Sequence, residues 1–306
     1  GQSVWTKVNI NGYNSSGSII TLPINETTIA FDGYNYFEEQ NADENNIMIT
    51  NRELFVLEDN TFRLPIYTGL NAPTIIFYKD GEIIASETFS YDQDSSNQIK
   101  YVSIYGDAVN WDTFEERVLE DGGVDFENSV CLQSFFNNYS IGAVDKIEVS
   151  GSGQKIQTIK VNVLEECKYE PKKVTFINKF GALQDMYFFK KSVEMMNVEK
   201  ESYKSNILNS SGGYSISSHV NRNFNVVGKE SVTLSSGFLS EEYNEVFKQM
   251  MLSEKVWVTN IIETGEQVLP INVKTSDITY KTSLNNKLVE YTIEFDKSYN
   301  TINNIR

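Results

Sequence analysis

Alternation of apolar and polar positions, the signature of β structure, runs through most of the chain. In KLVEYTIEFD (287–296), Val289, Tyr291, Ile293 and Phe295 alternate with Leu288, Glu290, Thr292 and Glu294, so that one face is core and the other is wet. TIIFYKDGEIIAS (74–86) holds two β-rich runs around Asp80-Gly81, a dipeptide whose tolerance of positive φ suits a type I′ hairpin turn. Further β-branched and aromatic runs occur at SIITLPINETTIAF (18–31), NIMITNRELFVLE (46–58), FRLPIY (62–67) and IKYVSIYG (99–106). Asn, Gly and Pro punctuate them at regular intervals, which predicts a sandwich of immunoglobulin-like size in the N-terminal third. KIEVSGSGQKIQTIKVNVLEE (146–166) reads as a hairpin turning at 150–154. Towards the C-terminus, KVWVTNII (255–262), VLPINVKT (268–275) and DITYKT (277–282) add strands before the alternating segment.

Two stretches carry helical spacing instead. NWDTFEERVLEDGG (110–123) offers Asn110 or Asp112 as N-cap, early acids and a Gly-Gly stop, predicting a short helix. FLSEEYNEVFKQMMLSEK (238–255) sets Leu239, Tyr243, Phe247, Met250 and Met251 on one stripe. Ser240 is its expected N-cap, and Glu241 and Glu242 suit the positive end of the dipole, predicting a helix over 239–253.

KFGALQDMYFFKKS (179–192) places Met186, Tyr187, Phe188 and Phe189 in succession. A helix would leave Phe188 and Phe189 off the stripe of Phe180, Leu183 and Tyr187, so a strand fits better, continued by SVEMMNVEKESYKSN. A strand with large apolar groups on both faces has no solvated side. A second layer or another molecule must cover it.

A length of 306 residues accommodates two domains. Pro171 and the basic cluster of YEPKK (169–173) break the pattern, dividing an N-terminal β-rich domain, 1–168, from a C-terminal domain, 169–306. The first divides further into an immunoglobulin-like 1–106 and a connecting 107–168. The fold class is thus mainly β, with one helix flanking the C-terminal strands.

Composition narrows the functions. The formal charge of −16 repels phosphate backbones, which argues against nucleic acid as partner. No apolar run approaches the ~18 residues a membrane span needs, and residues 1–10 lack the pattern of a signal peptide. The two cysteines, Cys131 and Cys167, are too far apart in sequence for a C-x-x-C motif; they read as buried thiols, with a disulfide as the alternative. His219, the sole histidine, lies in the Ser-rich SISSHVNRNF and has no evident Ser, Cys or Asp partner. The segment DQDSSN (92–97) begins like a calcium loop but has Asn97 where the glycine belongs and Ser103 where the bidentate Glu belongs. No phosphate-binding glycine motif or G-x-S-x-G elbow is present. The expected cofactor complement is none. Trp5, Tyr34, Tyr36, Trp111 and Trp257 fit either core packing or stacking on sugar rings.

Around VNVLEECKYEPKKVTFINKFGALQDMYFFKKS (161–192) and LSSGFLSEEYNEVFKQMMLSEKVWV (234–258), the chain resembles structural tail proteins encoded by bacteriophages and prophages of Bacteroidetes. The likeness spans roughly the C-terminal half and carries no catalytic signature. It implies a virion component of the tail tip or baseplate, assembled in the bacterial host cytoplasm, whose partners are further copies of itself and other tail proteins. It also implies a tail-tube-like β-sandwich or barrel with one flanking helix in the C-terminal domain. The expected function is therefore structural and non-enzymatic, with Met186, Tyr187, Phe188, Phe189, Met250 and Met251 as the interface residues. A surface module binding cell-surface glycans is the alternative, and a tail-associated glycoside hydrolase the third.

Overall fold

A computed structural model of the chain describes residues 3–13, 19–31, 33–34, 46–57, 61–67, 72–88, 99–105, 144–151, 156–164, 168–206, 208, 211–262, 265–278 and 288–302. The helix expected over 110–123, the loop at 92–97, both cysteines and most of DITYKT lie outside the described residues.

The described fold is mainly β with one helix, and no sheet in it closes into a barrel. In chain order, β1 (Ser3–Tyr13) and β2 (Ile19–Phe31) form a hairpin. Next come β3 (Glu53–Leu57), β4 (Thr61–Tyr67), β5 (Thr74–Lys79), β6 (Glu82–Thr88), β7 (Ile99–Tyr105), β8 (Lys146–Ser150) and β9 (Gln157–Leu164). Then follow β10 (Lys172–Ile177), β11 (Leu183–Phe188), β12 (Val193–Lys204), β13 (Asn221–Ser235), β14 (Leu239–Ser240) and the helix α1 (Tyr243–Leu252). The chain closes with β15 (Val256–Ile262), β16 (Gly265–Val273), β17 (Leu288–Val289), β18 (Thr292–Lys297) and β19 (Thr301–Ile302).

Two sheets organise these strands. A five-stranded sheet runs β3-β9-β8-β5-β6 and is antiparallel except for the β3–β9 pair. An eight-stranded antiparallel sheet runs β11-β10-β15-β16-β18-β13-β12, with β19 also against β13. The first sheet draws only on residues 53–164 and the second only on 172–302. β4 and β7 pair separately.

Local sequence accounts for much of this. Asp80 and Gly81 both take positive φ, 52° and 83°, so the β5–β6 hairpin turns as the dipeptide requires. β18 buries Ile293 and Phe295 while Thr292 stays exposed, as the alternation demands. α1 buries Tyr243, Val246, Phe247 and Met250. Its start differs from the sequence reading. Ser240 pairs in β14 with Leu288 of β17, and the N-cap is Glu242, which makes no side-chain capping bond. The short β14–β17 ladder takes the residue that would otherwise cap the helix.

The cores meet at β10 and β11. One buried cluster gathers Leu54, Val56, Phe62, Leu64, Ile75 and Phe77 with others of the N-terminal sheets, and Tyr187 of β11 joins it. The other gathers Val174, Phe176, Met186 and Phe188 with α1, β15 and β18. Because side chains alternate along a strand, Met186 and Phe188 face one core and Tyr187 the other. Both faces of β11 are thereby covered within a single chain.

Candidate assembly surface

All six side chains of β11 are buried, with Tyr187 3% and Phe188 1% exposed. Phe188 meets Phe247 of α1 and Phe295 of β18 edge-on, with ring centroids 6.1 and 6.0 Å apart. Phe189 is buried against Gly237, whose φ of +71° and missing side chain admit the ring; a Cβ there would lie 2.4 Å from Phe189 Cε2. Met250 is buried and Met251 half-buried. The interface expectation for Met186, Tyr187, Phe188, Phe189 and Met250 is therefore corrected: the covering layer is this chain's own helix and N-terminal sheets. Trp257 likewise packs with Met48, Tyr67 and Leu183, which removes it as a sugar-stacking platform.

A polar seam lies under the same strand. Arg63 of β4 donates from Nε to Asp185 Oδ2 at 2.9 Å and from Nη2 to Asp185 Oδ1, while its backbone N–H reaches Oδ2 at 3.0 Å. Thr175 Oγ1 donates to Asp185 Oδ1 at 2.7 Å and accepts from Arg63 Nη2 at 2.9 Å. Burial acts to raise the Asp185 pKa, but the charge and hydrogen bonds of Arg63, with Lys173 and Thr175, hold it down at about 2. Beside it, Asn178 Nδ2 donates to the Met48 carbonyl at 2.6 Å, and its Oδ1 accepts from the N–H groups of Phe180 and Ala182. Gln184 Nε2 donates to Asn51 Oδ1 at 3.1 Å. Within the irregular stretch 46–52, the Met48 carbonyl and the Asn51 amide oxygen are satisfied in this way by side chains from the C-terminal half. The seam is a joint in which the Arg63 and Asp185 charges engage each other, an arrangement suited to fixing β4 against β11.

A different face meets solvent. Every residue of β12 is exposed, as are the first five of β13. β12 is the last strand of the large sheet, and among the described strands none lies along its outer edge. β13 is bipartite: Ser231–Ser235 pairs with β18, where Val232 and Leu234 are buried, whereas Asn221–Phe224 pairs only with β12. A bulge divides the two, with Asn225 at φ 50° and its amide donating to Glu201 at 3.1 Å. The result is a two-stranded arm, 193–235, whose strands run on past the sheet. His219, between the two strands in sequence, is exposed.

Sixteen large apolar side chains are exposed among the described residues, and ten of them fall between 193 and 224. Val193 and Met195 occupy one face of β12 and Met196 and Val198 the other, so neither face is purely polar. Ile216 is 99% exposed. Tyr203 and Phe224 stack edge-on across the strands at 5.7 Å, and Lys229 pairs with Glu199 at 2.7 Å. The sequence reading took 192–206 only as a continuing strand. Its available signal was apolar residues on both faces of the segment, Val193 and Met195 on one and Met196 and Val198 on the other.

Among the described residues no group of three or more His, Cys, Asp or Glu side chains is placed to hold a metal ion, and no helix is long and apolar enough to cross a membrane. No protein family, curated protein or solved structure matches the chain.

Proposed function

We propose that the chain is a non-enzymatic structural subunit that works by assembling, in a phage tail or baseplate. The observation that carries this reading is the arm: a long, solvated two-stranded ribbon with apolar side chains on both faces, on an otherwise well-buried β framework. A ribbon of this kind is marginal alone in water and gains stability when its faces or edge are covered. Two further points support it. The segments resembling tail proteins, 161–192 and 234–258, fall on β9 of the first sheet, on β10 and β11 of the second, and on α1 with its flanking strands. The charged groups buried in the seam are tied into a joint between sheets. In this reading the eight-stranded sheet with α1 is the tail-tube-like part, the N-terminal sheets are the immunoglobulin-like part, and other tail proteins are the partners.

Immunogold labelling and mass spectrometry of purified phage particles encoded alongside this gene test the proposal. The chain is expected in the particle, at a repeated position on the tail. Its recovery only outside particles removes the virion role.

A glycan-binding role is the second reading, favoured by the exposed rings of Tyr203, Tyr214 and Phe224 on the arm. Its test is a glycan array, on which binding that disappears in Tyr214→Ala supports it and an empty array removes it.

A further inference from the structure

We propose that the β12–β13 arm is the self-association surface of this chain, and that what covers it is the arm of a second copy. The inference rests on the assembly reading and deepens it by naming the contact and the occupant.

Charge selects the occupant. Residues 193–235 carry four acidic side chains, Glu194, Glu199, Glu201 and Glu230, and four basic ones, Lys200, Lys204, Arg222 and Lys229. The arm is thus formally neutral, and the −16 of the chain resides entirely elsewhere. Several of these groups are already engaged close by: Lys229 with Glu199, and Glu230 with Lys297 of β18. A nucleic acid or an anionic membrane surface calls for a basic arm, and a strongly basic partner calls for an acidic one. A neutral arm on an acidic body fits a neutral surface, and the arm of another copy is one. Contact there also holds the two acidic bodies apart, where their mutual repulsion is screened by salt.

Shape agrees with charge. Among the described residues the exposed apolar groups are concentrated on the arm, so an arm docked on the described body strands would place them largely against polar surface. An arm docked on an arm covers apolar groups with apolar groups, and a single patch serves both partners, as a two-fold contact requires. The outer edge of β12 adds main-chain N–H and C=O groups that a second strand can pair, the same chemistry by which sheets accept an added strand. The bulge at Asn225 adds local twist where the arm leaves the sheet.

Sedimentation equilibrium of the full chain over a concentration series, with hydrogen exchange followed by mass spectrometry, tests this. Expected is a monomer–dimer equilibrium in which amides of 193–204 gain protection as dimer forms. Met195→Lys with Val198→Lys is expected to weaken association by about tenfold or more while leaving the circular dichroism and melting temperature of the dilute monomer unchanged. A monomer at every concentration overturns the inference. So does association that survives the double substitution with protection arising on the body strands, and so does an arm protected only when phosphatidylcholine–phosphatidylglycerol vesicles are added. A dimer of the expected kind in a chain missing from particles leaves the arm contact standing and removes the virion role. A chain present in particles whose arm variant still assembles does the reverse.

Discussion

Arg63 and Asp185, 122 residues apart in sequence, form a forked ion pair in which the backbone N–H of Arg63 supplies a third bond to the same carboxylate. Asp185 is fully enclosed and Arg63 nearly so. The pair joins β4 of the N-terminal half to β11 of the large sheet, at the point where the two cores touch. Breaking one side leaves a buried charge without its counter-ion, whereas removing both charges does not. Asp185→Asn or Arg63→Met is therefore expected to cost about 3–5 kcal/mol in denaturant unfolding. The double variant Arg63→Met with Asp185→Leu is expected to be less destabilised than the sum of its parts. Additive losses in the cycle show that the two residues do not act together.

Acid titration reads the same pair. The Asp185 pKa falls from 3.8 to about 2 on folding, so its carboxylate stabilises the fold fully above the unfolded value and progressively loses that contribution as pH drops from about 4 towards 2. At neutral pH the shift corresponds to about 2 kcal/mol. Stability measured against pH is expected to fall through that window in the native chain. The fall is expected to flatten in the doubly apolar variant; an unchanged slope there assigns the acid sensitivity to other carboxylates.

Gly237→Ala combines two penalties. The residue sits at φ +71°, and an added methyl group meets the Phe189 ring at 2.4 Å and Lys190 Cγ at 2.9 Å. A loss of about 2–4 kcal/mol is expected. Pairing it with Phe189→Leu, which frees space over the glycine, is expected to return part of that loss. Thermal melts of the two single variants and the double variant decide the matter.

Phe188→Ala and Met196→Ala separate core from arm. Phe188 is enclosed between Phe247 and Phe295, so its truncation is expected to cost about 3–5 kcal/mol. Met196 is 58% exposed, and its truncation is expected to shift monomer stability by no more than about 0.5 kcal/mol. Urea unfolding at low protein concentration gives both numbers. A large loss at Met196 in the monomer places that side chain in a core and ends the view of the arm as a solvated surface.

Sequence by itself determined what local chemistry controls. The Asp80-Gly81 turn, the alternating β18 and the buried stripe of α1 follow from backbone tolerance and from period, properties that travel with a few neighbouring residues. The all-β character of 179–204 was legible on the same grounds. Tertiary structure decided which apolar strand is covered and which is not. β11 and β12 are consecutive, and each carries large apolar side chains on both faces. Yet β11 lies between α1 and the N-terminal sheets, while β12 ends the sheet with no layer above or below it among the described residues. Burial depends on what packs from distant parts of the chain: Phe247, Phe295 and the strands around Arg63 lie tens to over a hundred residues from β11. That long-range placement moved the candidate surface from Met186–Phe189 to the arm that follows it.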